Sequence, residues 1–361
     1  MKLDVLEFEG SPYQLGYSHG RCYADAIWHF ARERVELAGS EAWTGRTLER
    51  SAVLELAEKC LDAHERFTPS SMEELEGMAA ATGLSLPELI VVNGFTDFVD
   101  TVYADGRSAG ATAASPDDCT AALVPSGRAQ DNQALLGQTW DMHASAAEHV
   151  LLIRGRPAGD PEFLTFTSVG CVGMIGMNEA GLVVGINNLM GGDGQPGVMW
   201  TFVVRELLRR ETLAEALELL DAVPLAGAHN YLLLDRHGNG ANVEATGSRR
   251  HVTPLADRTI LHTNHCLFPN TQEVERERAD ASLTGSRARL QRAAELLADG
   301  EVSPERLQRL TADEPLICTS PKPPLHVATC GAAVMRPATG EFWAVKGPPG
   351  RGEYRRYTVP G

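Results

Sequence analysis

The spacing of apolar and polar positions changes character near residue 119. Between Thr47 and Phe67 the apolar residues Leu54, Leu56, Ala57 and Leu61 fall on the three-and-four spacing of an amphipathic helix. A short strand is predicted over 3–9, then the turn Gly10-Ser11-Pro12 and a helix from about Tyr13 to Leu37. Ser71-Met72-Glu73-Glu74 and Ser85-Leu86-Pro87-Glu88 carry a hydroxyl followed three residues later by a carboxylate, a capped helix start, the second with proline in its first turn. From Cys119 onward, short apolar runs punctuated by glycines predict strands at 119–124, 134–140, 148–154, 162–167, 172–177 and 182–187. Helices follow at 199–208 and 212–222, then strands at 229–235, 240–246, 249–253 and 259–263. Two more helices, 286–298 and 303–310, precede the closing strands 325–335 and 341–346. This succession suits an α+β architecture of two sheets packed face to face with helices outside. Residues 105–118, small and polar, divide the chain into a mostly helical N-terminal segment, 1–118, and a sandwich, 119–361.

Composition narrows the function classes. Of 361 residues, 43% are hydrophobic and 22% charged, the balance of an ordinary soluble protein. A formal charge of -16 without a clustered basic face excludes a nucleic-acid partner from the expectation. No apolar run approaches the roughly 18 residues of a membrane span, and Met1 to Glu7 lacks the apolar core of a signal peptide, so a cytoplasmic location without membrane attachment is expected. The seven cysteines are scattered with no CxxC pair, which suits a reducing compartment.

One cysteine stands apart. Cys119 follows the polar run Arg107 to Asp118 and opens a strand whose partner ends in Gly137-Gln138-Thr139-Trp140-Asp141. A hairpin centred near Gln130 pairs positions summing to about 260, which sets Asp141 opposite Cys119. Cleavage of the Asp118–Cys119 bond would give Cys119 an α-amine, with a reference pKa of about 7.7 to 8.0 against about 8.5 for the thiol. The amine then takes the thiol proton, and nucleophile and base share one residue.

Cys119-Thr120, Gly137-Gln138-Thr139-Trp140-Asp141, Gly176-Met177-Asn178-Glu179-Ala180-Gly181-Leu182 and His262-Thr263-Asn264-His265, with Gly10-Ser11-Pro12-Tyr13 and Gly16 to Gly20, together resemble the isopenicillin N acyltransferase family of self-cleaving N-terminal-nucleophile hydrolases. The resemblance implies a four-layer αββα sandwich and self-cleavage; the two fragments would stay associated if the helical piece buries its apolar faces against the sandwich, and no cofactor is expected. It assigns Cys119 as nucleophile and Asn264 as the neutral amide of an oxyanion hole, while the hairpin register sets the Asp141 carboxylate to hold the Cys119 α-amine. Gln138, Trp140 and Asn188 become expected substrate-facing positions, although Asn187-Asn188 leaves open which asparagine is the family's second one. Gln138 matches the acyltransferase branch, since related bile-salt hydrolases carry arginine there. Asp118 stands where the family usually has glycine.

The implied reaction is hydrolysis or transfer of a small-molecule acyl group through a thioester, on an amide or acyl donor. An unprocessed, non-catalytic small-molecule-binding protein on the same scaffold is the alternative, with Asp118 blocking cleavage. A metal at His262-Thr263-Asn264-His265-Cys266 is not expected, because strand alternation separates the two histidines. His19, between turn glycines, suits either the site or a structural role, and Arg287 and Arg289 are expected to be solvated on their helix face.

Overall fold

The computed structural model describes residues 3–106, 119–277, 280–323 and 325–360. Its strands form two sheets. The eight-stranded sheet runs β1 (Val5–Gly10), β4 (Val150–Pro157), β5 (Phe163–Ser168), β6 (Ile175–Asn178), β7 (Val183–Asn188), β8 (His229–Leu234), β9 (Gly240–Ala245), β10 (Arg250–Pro254). The six-stranded sheet runs β11 (Ile260–His262), β2 (Ala121–Val124), β3 (Leu135–His143), β12 (Val327–Arg336), β13 (Glu341–Lys346), β14 (Arg355–Thr358).

Side-chain alternation builds the layers. On β2, Ala121 and Leu123 join the core between the sheets, with Leu136, Trp140, Leu164, Phe166 and Val184. Ala122 and Val124 point the other way, into a second core closed by Ala293, Leu307 and Leu310 of the helices Asp280–Leu296 and Pro304–Thr311, with Leu297 just beyond the first. On the far side, Ile27 and Val92 of the N-terminal helices crowd Gly170 beside the eight-stranded sheet, and Leu208 meets Gly176. The result is the α+β four-layer αββα sandwich with a helical N-terminal segment, its inner strands largely buried on both faces because each face meets another layer.

The N-terminal segment is keyed into this sandwich at several points. Strand β1 pairs parallel with β4, so the segment supplies the sheet's edge strand. Helices Pro12–Ala38 and Pro69–Thr82 cross so closely that a Cβ on Gly16 would lie 1.7 Å from the Glu74 carbonyl oxygen. Buried acceptors from the segment cap the helix Trp200–Leu207: Asp97 Oδ2 accepts the Trp200 N–H at 2.6 Å and His64 Nε2 the Met199 N–H at 3.0 Å. Asp100 Oδ2 accepts the Gly191 and Ala228 N–H groups at 2.9 and 3.1 Å, while the fully buried Arg205 meets Glu74 at 3.1 Å.

Several elements differ from expectation. The span 47–67 is two helices, Arg50–Glu58 and Leu61–Phe67, and the break at Lys59-Cys60 turns His64 towards Met199. The next helix starts at Pro69, because a proline lacking an N–H suits the first turn better than Ser71. The helix expected from 286 starts at Asp280, and the strand expected from 172 starts at Ile175. The edge strand β14 carries Arg355 and Arg356 rather than an apolar run and so left no pattern to read.

Candidate active site

Strand β2 begins at Ala121, and its register with β3 pairs Ala121 with Gln138 and Ala122 with Gly137. Paired positions therefore sum to 259, one less than expected, because the connection winds through two short 3-10 turns with Asp131 and Asn132 in left-handed conformation. Cys119 lies just before the strand, and its sulfur still reaches Asp141, through the main chain. The Asp141 N–H donates to Cys119 Sγ at 3.3 Å, and Thr120 is pinned by its N–H to Thr139 Oγ1 at 3.0 Å. Both Cys119 and Asp141 are buried. Opposite Trp140-Asp141, strand β12 shifts register between Thr329 and Gly331, an irregularity of the kind that re-aims side chains beside sites. Asp118, the other half of the expected cleavage bond, lies outside the described residues.

Asn264 follows β11, which pairs with β2 so that His262 faces Ala121. Its Nδ2 donates to the Asn188 carbonyl at 3.0 Å, which links the two sheets beside Cys119 and leaves the amide's second proton for a ligand. Asn188 thus enters the site through its backbone. Asn187 belongs to a buried amide row: Asn230 Nδ2 donates to Asn187 Oδ1 at 3.4 Å and to Asn242 Oδ1 at 2.8 Å.

Arg289 corrects the expectation of a solvated helix face. It is 3% exposed, and its guanidinium donates to the Cys119 carbonyl at 2.8 Å and, through both Nη atoms, to Asn264 Oδ1 at 3.2 Å. One cation therefore joins Cys119 to Asn264. Its signal was present in the sequence: Ser286, Arg289 and Ala293 are spaced three and four apart and form the buried stripe of their helix, while Arg287 is exposed as expected.

Two expected substrate-facing residues occupy the space between the sheets. Gln138 is fully buried, its Nε2 donating to the Ile186 carbonyl at 2.9 Å and its Oε1 accepting the Ile186 N–H at 2.8 Å, a strut from β3 to β7. Trp140 is 2% exposed and meets Phe166 edge-on at 6.3 Å. His19 lies away from Cys119, accepting the Gly170 N–H at 3.2 Å, and burial pushes its pKa down to about 4. The motif's histidines diverge, His262 to Glu244 at 2.8 Å and His265 to Ser286 Oγ at 2.8 Å.

Residues 128–345 match the family model described as acyl-coenzyme A:6-aminopenicillanic acid acyl-transferase. The chain is 25% identical over 313 residues to the 40 kDa form of acyl-coenzyme A:6-aminopenicillanic-acid-acyltransferase from Emericella nidulans, covering 85% of this chain and 80% of that protein. It is 25% identical over 234 residues to an uncharacterized protein of Archaeoglobus fulgidus, covering 61% of this chain and 38% of that one. Among solved structures, a mutant of conjugated bile acid hydrolase from Clostridium perfringens gives a TM-score of 0.43 at 13% identity over 67% of this chain and 97% of that one. Penicillin V acylase from Agrobacterium tumefaciens gives 0.42 at 13% identity over 66% and 86%. The family match spans more than half of the chain and includes Asp141, Asn264 and Arg289; the chain belongs to the acyl-coenzyme A:6-aminopenicillanic acid acyl-transferase family.

Proposed function

We propose that this chain is a self-processing amide hydrolase or acyltransferase with Cys119 as nucleophile, acting on a small-molecule N-acyl amide or acyl thioester. The observation that carries the reading is the convergence on Cys119 of three groups from separate elements: the Asp141 N–H on its sulfur, the Arg289 guanidinium on its carbonyl, and Asn264 held by that same guanidinium. The relatives' names support an acyl donor and an amine acceptor as the substrate class.

In the precursor, the Cys119 sulfur attacks the Asp118 carbonyl carbon, and the peptide nitrogen leaves as the new α-amine. Water then hydrolyses the resulting thioester, freeing the thiol and the Asp118 carboxylate. In the mature enzyme the α-amine, held by the Asp141 carboxylate, takes the thiol proton, and the thiolate attacks the substrate carbonyl. The second Nδ2 proton of Asn264 meets the oxyanion; removing one such donor typically costs about 100- to 1000-fold in turnover. The α-ammonium returns its proton to the leaving amine, and water or an acceptor amine takes the acyl group from sulfur.

Intact mass under denaturing conditions tests this. The native sequence should give two chains divided at 118/119 and turn over p-nitrophenyl hexanoate, while Cys119→Ala should give one full-length chain and no turnover. Cleavage at that bond in Cys119→Ala would overturn the reading. A single native chain without turnover would instead favour the unprocessed binding protein, in keeping with Asp118 in the usual glycine position.

A further inference from the structure

The motif that supplies Asn264 also supplies His262, which the reaction above does not use. His262 ends β11 in one sheet, and Glu244 lies on β9 in the other; both are fully buried. The ring's Nε2 lies 2.8 Å from Glu244 Oε1 and its Nδ1 2.8 Å from the Thr263 carbonyl oxygen. Glu244 also accepts the Leu267 N–H at 2.7 Å on Oε1 and the Thr271 hydroxyl on Oε2. The Glu244 carboxylate faces three donor groups, and the His262 ring has an acceptor oxygen at each nitrogen, so the two side chains lock β9 to the end of β11. Burial works against the Glu244 charge, but the hydrogen bond and charge of His262 hold its pKa below the ordinary value.

We propose that Glu244 and His262 are positioning residues for Asn264. The one carboxylate grips residues 262, 267 and 271, and Asn264 lies between the first two grips. The Thr263–Asn264 peptide unit is held at both ends: its carbonyl oxygen by His262 Nδ1, and its N–H by Ser286 Oγ at 3.0 Å. With that plane fixed, and the side chain fixed by Arg289 and the Asn188 carbonyl, the Asn264 amide has one orientation towards Cys119. The pair acts on the oxyanion through the placement of Asn264.

This inference rests on Asn264 being the oxyanion donor, and the test separates the two. Glu244→Gln keeps the shape but cannot accept from all three donors, because its amide nitrogen takes the place of one oxygen. Its kcat for p-nitrophenyl hexanoate is expected to fall about 10- to 100-fold, the range for a misplaced catalytic group. KM should stay within about twofold and iodoacetamide should alkylate Cys119 at the native rate, since binding and the nucleophile are untouched. Thr271→Val, which removes a single donor and leaves the His262–Glu244 contact, should show a smaller loss of the same kind, about threefold. Native kcat in both variants, or loss of kcat and alkylation together, would overturn the positioning role. Asn264→Ala is measured alongside: native kcat in that variant overturns the oxyanion reading itself, whereas a slow Asn264→Ala beside an unaffected Glu244→Gln overturns only the positioning.

Discussion

At the scale of single residues, Arg289 is the side chain on which the candidate site turns. Its forked guanidinium bonds two acceptors from separate stretches of chain, one just before β2 and one just after β11, a geometry a lysine ammonium cannot reproduce from one point. Arg289→Met is expected to lower kcat for p-nitrophenyl hexanoate about 10- to 100-fold, with Arg289→Lys recovering only part of the loss. Steady-state kinetics on protein with an unchanged melting temperature checks this. The proximity of Cys119 and Asp141 was legible because a short hairpin fixes register to within a residue. Arg289 was misjudged because arginine on a helix is mostly solvated, and that prior outweighed the buried spacing of Ser286 and Ala293. The Glu244–His262 pair left no trace in the sequence, since it joins different sheets and only folding brings the two strands together.

At the scale of elements, helix Pro12–Ala38 depends on glycines where it crosses Pro69–Thr82. A methyl on Gly16 would strike the backbone at Glu74, and one on Gly77 would lie 2.1 Å from the Tyr13 carbonyl oxygen. Neither backbone can give way as a side chain would. Gly16→Ala is expected to destabilise by about 3 kcal/mol or more, read by urea unfolding. Gly285, in the helix Asp280–Leu296, gives the contrast: a methyl there would meet nothing within 4 Å, and Gly285→Ala should stabilise by about 0.5–1 kcal/mol. Helix Phe95–Gly106 offers a pH test. Burial pushes the Asp100 carboxyl from 3.8 up to about 7, with Arg276 and two backbone N–H groups partly offsetting it. Between those values the folded chain holds a proton that the unfolded chain releases. Stability should therefore fall as pH rises from about 4 to about 7 and stay level above. Asp100→Asn keeps an oxygen for both N–H groups and should remove this slope, raising the melting temperature at pH 8 and leaving it little changed at pH 4. The helix start at Ser85 was readable because its hydroxyl meets the Glu88 backbone in a capping box. The break at Lys59-Cys60 was not, because it answers to a contact with Met199, far along the chain.

At the scale of the whole molecule, the order of strands and helices was enough to read two sheets with helices outside, because each apolar stripe demands a facing layer. The sequence pattern also placed a strand at 3–9 but could not tell which sheet would take it, since edge pairing is decided by backbone geometry rather than by side-chain alternation. Residues 3–106 are tied to the sandwich by β1 against β4, by the Asp97 and Asp100 carboxylates, and by Glu74 on Arg205. After cleavage at 118/119 the two pieces should therefore elute together in native size-exclusion chromatography at the mass of the intact chain and separate only in denaturant. Strand β1 gives this arrangement a history. While the polypeptide is continuous its ends find one another at a rate that dilution does not touch; once severed, recovery from urea becomes an encounter between two molecules and should slow and diminish as the solution is made more dilute. A cleaved sample that has been melted would then fail to return under conditions where the Cys119→Ala chain does, so the proposed scission would have to follow folding, because the piece it releases carries an edge strand of the sheet.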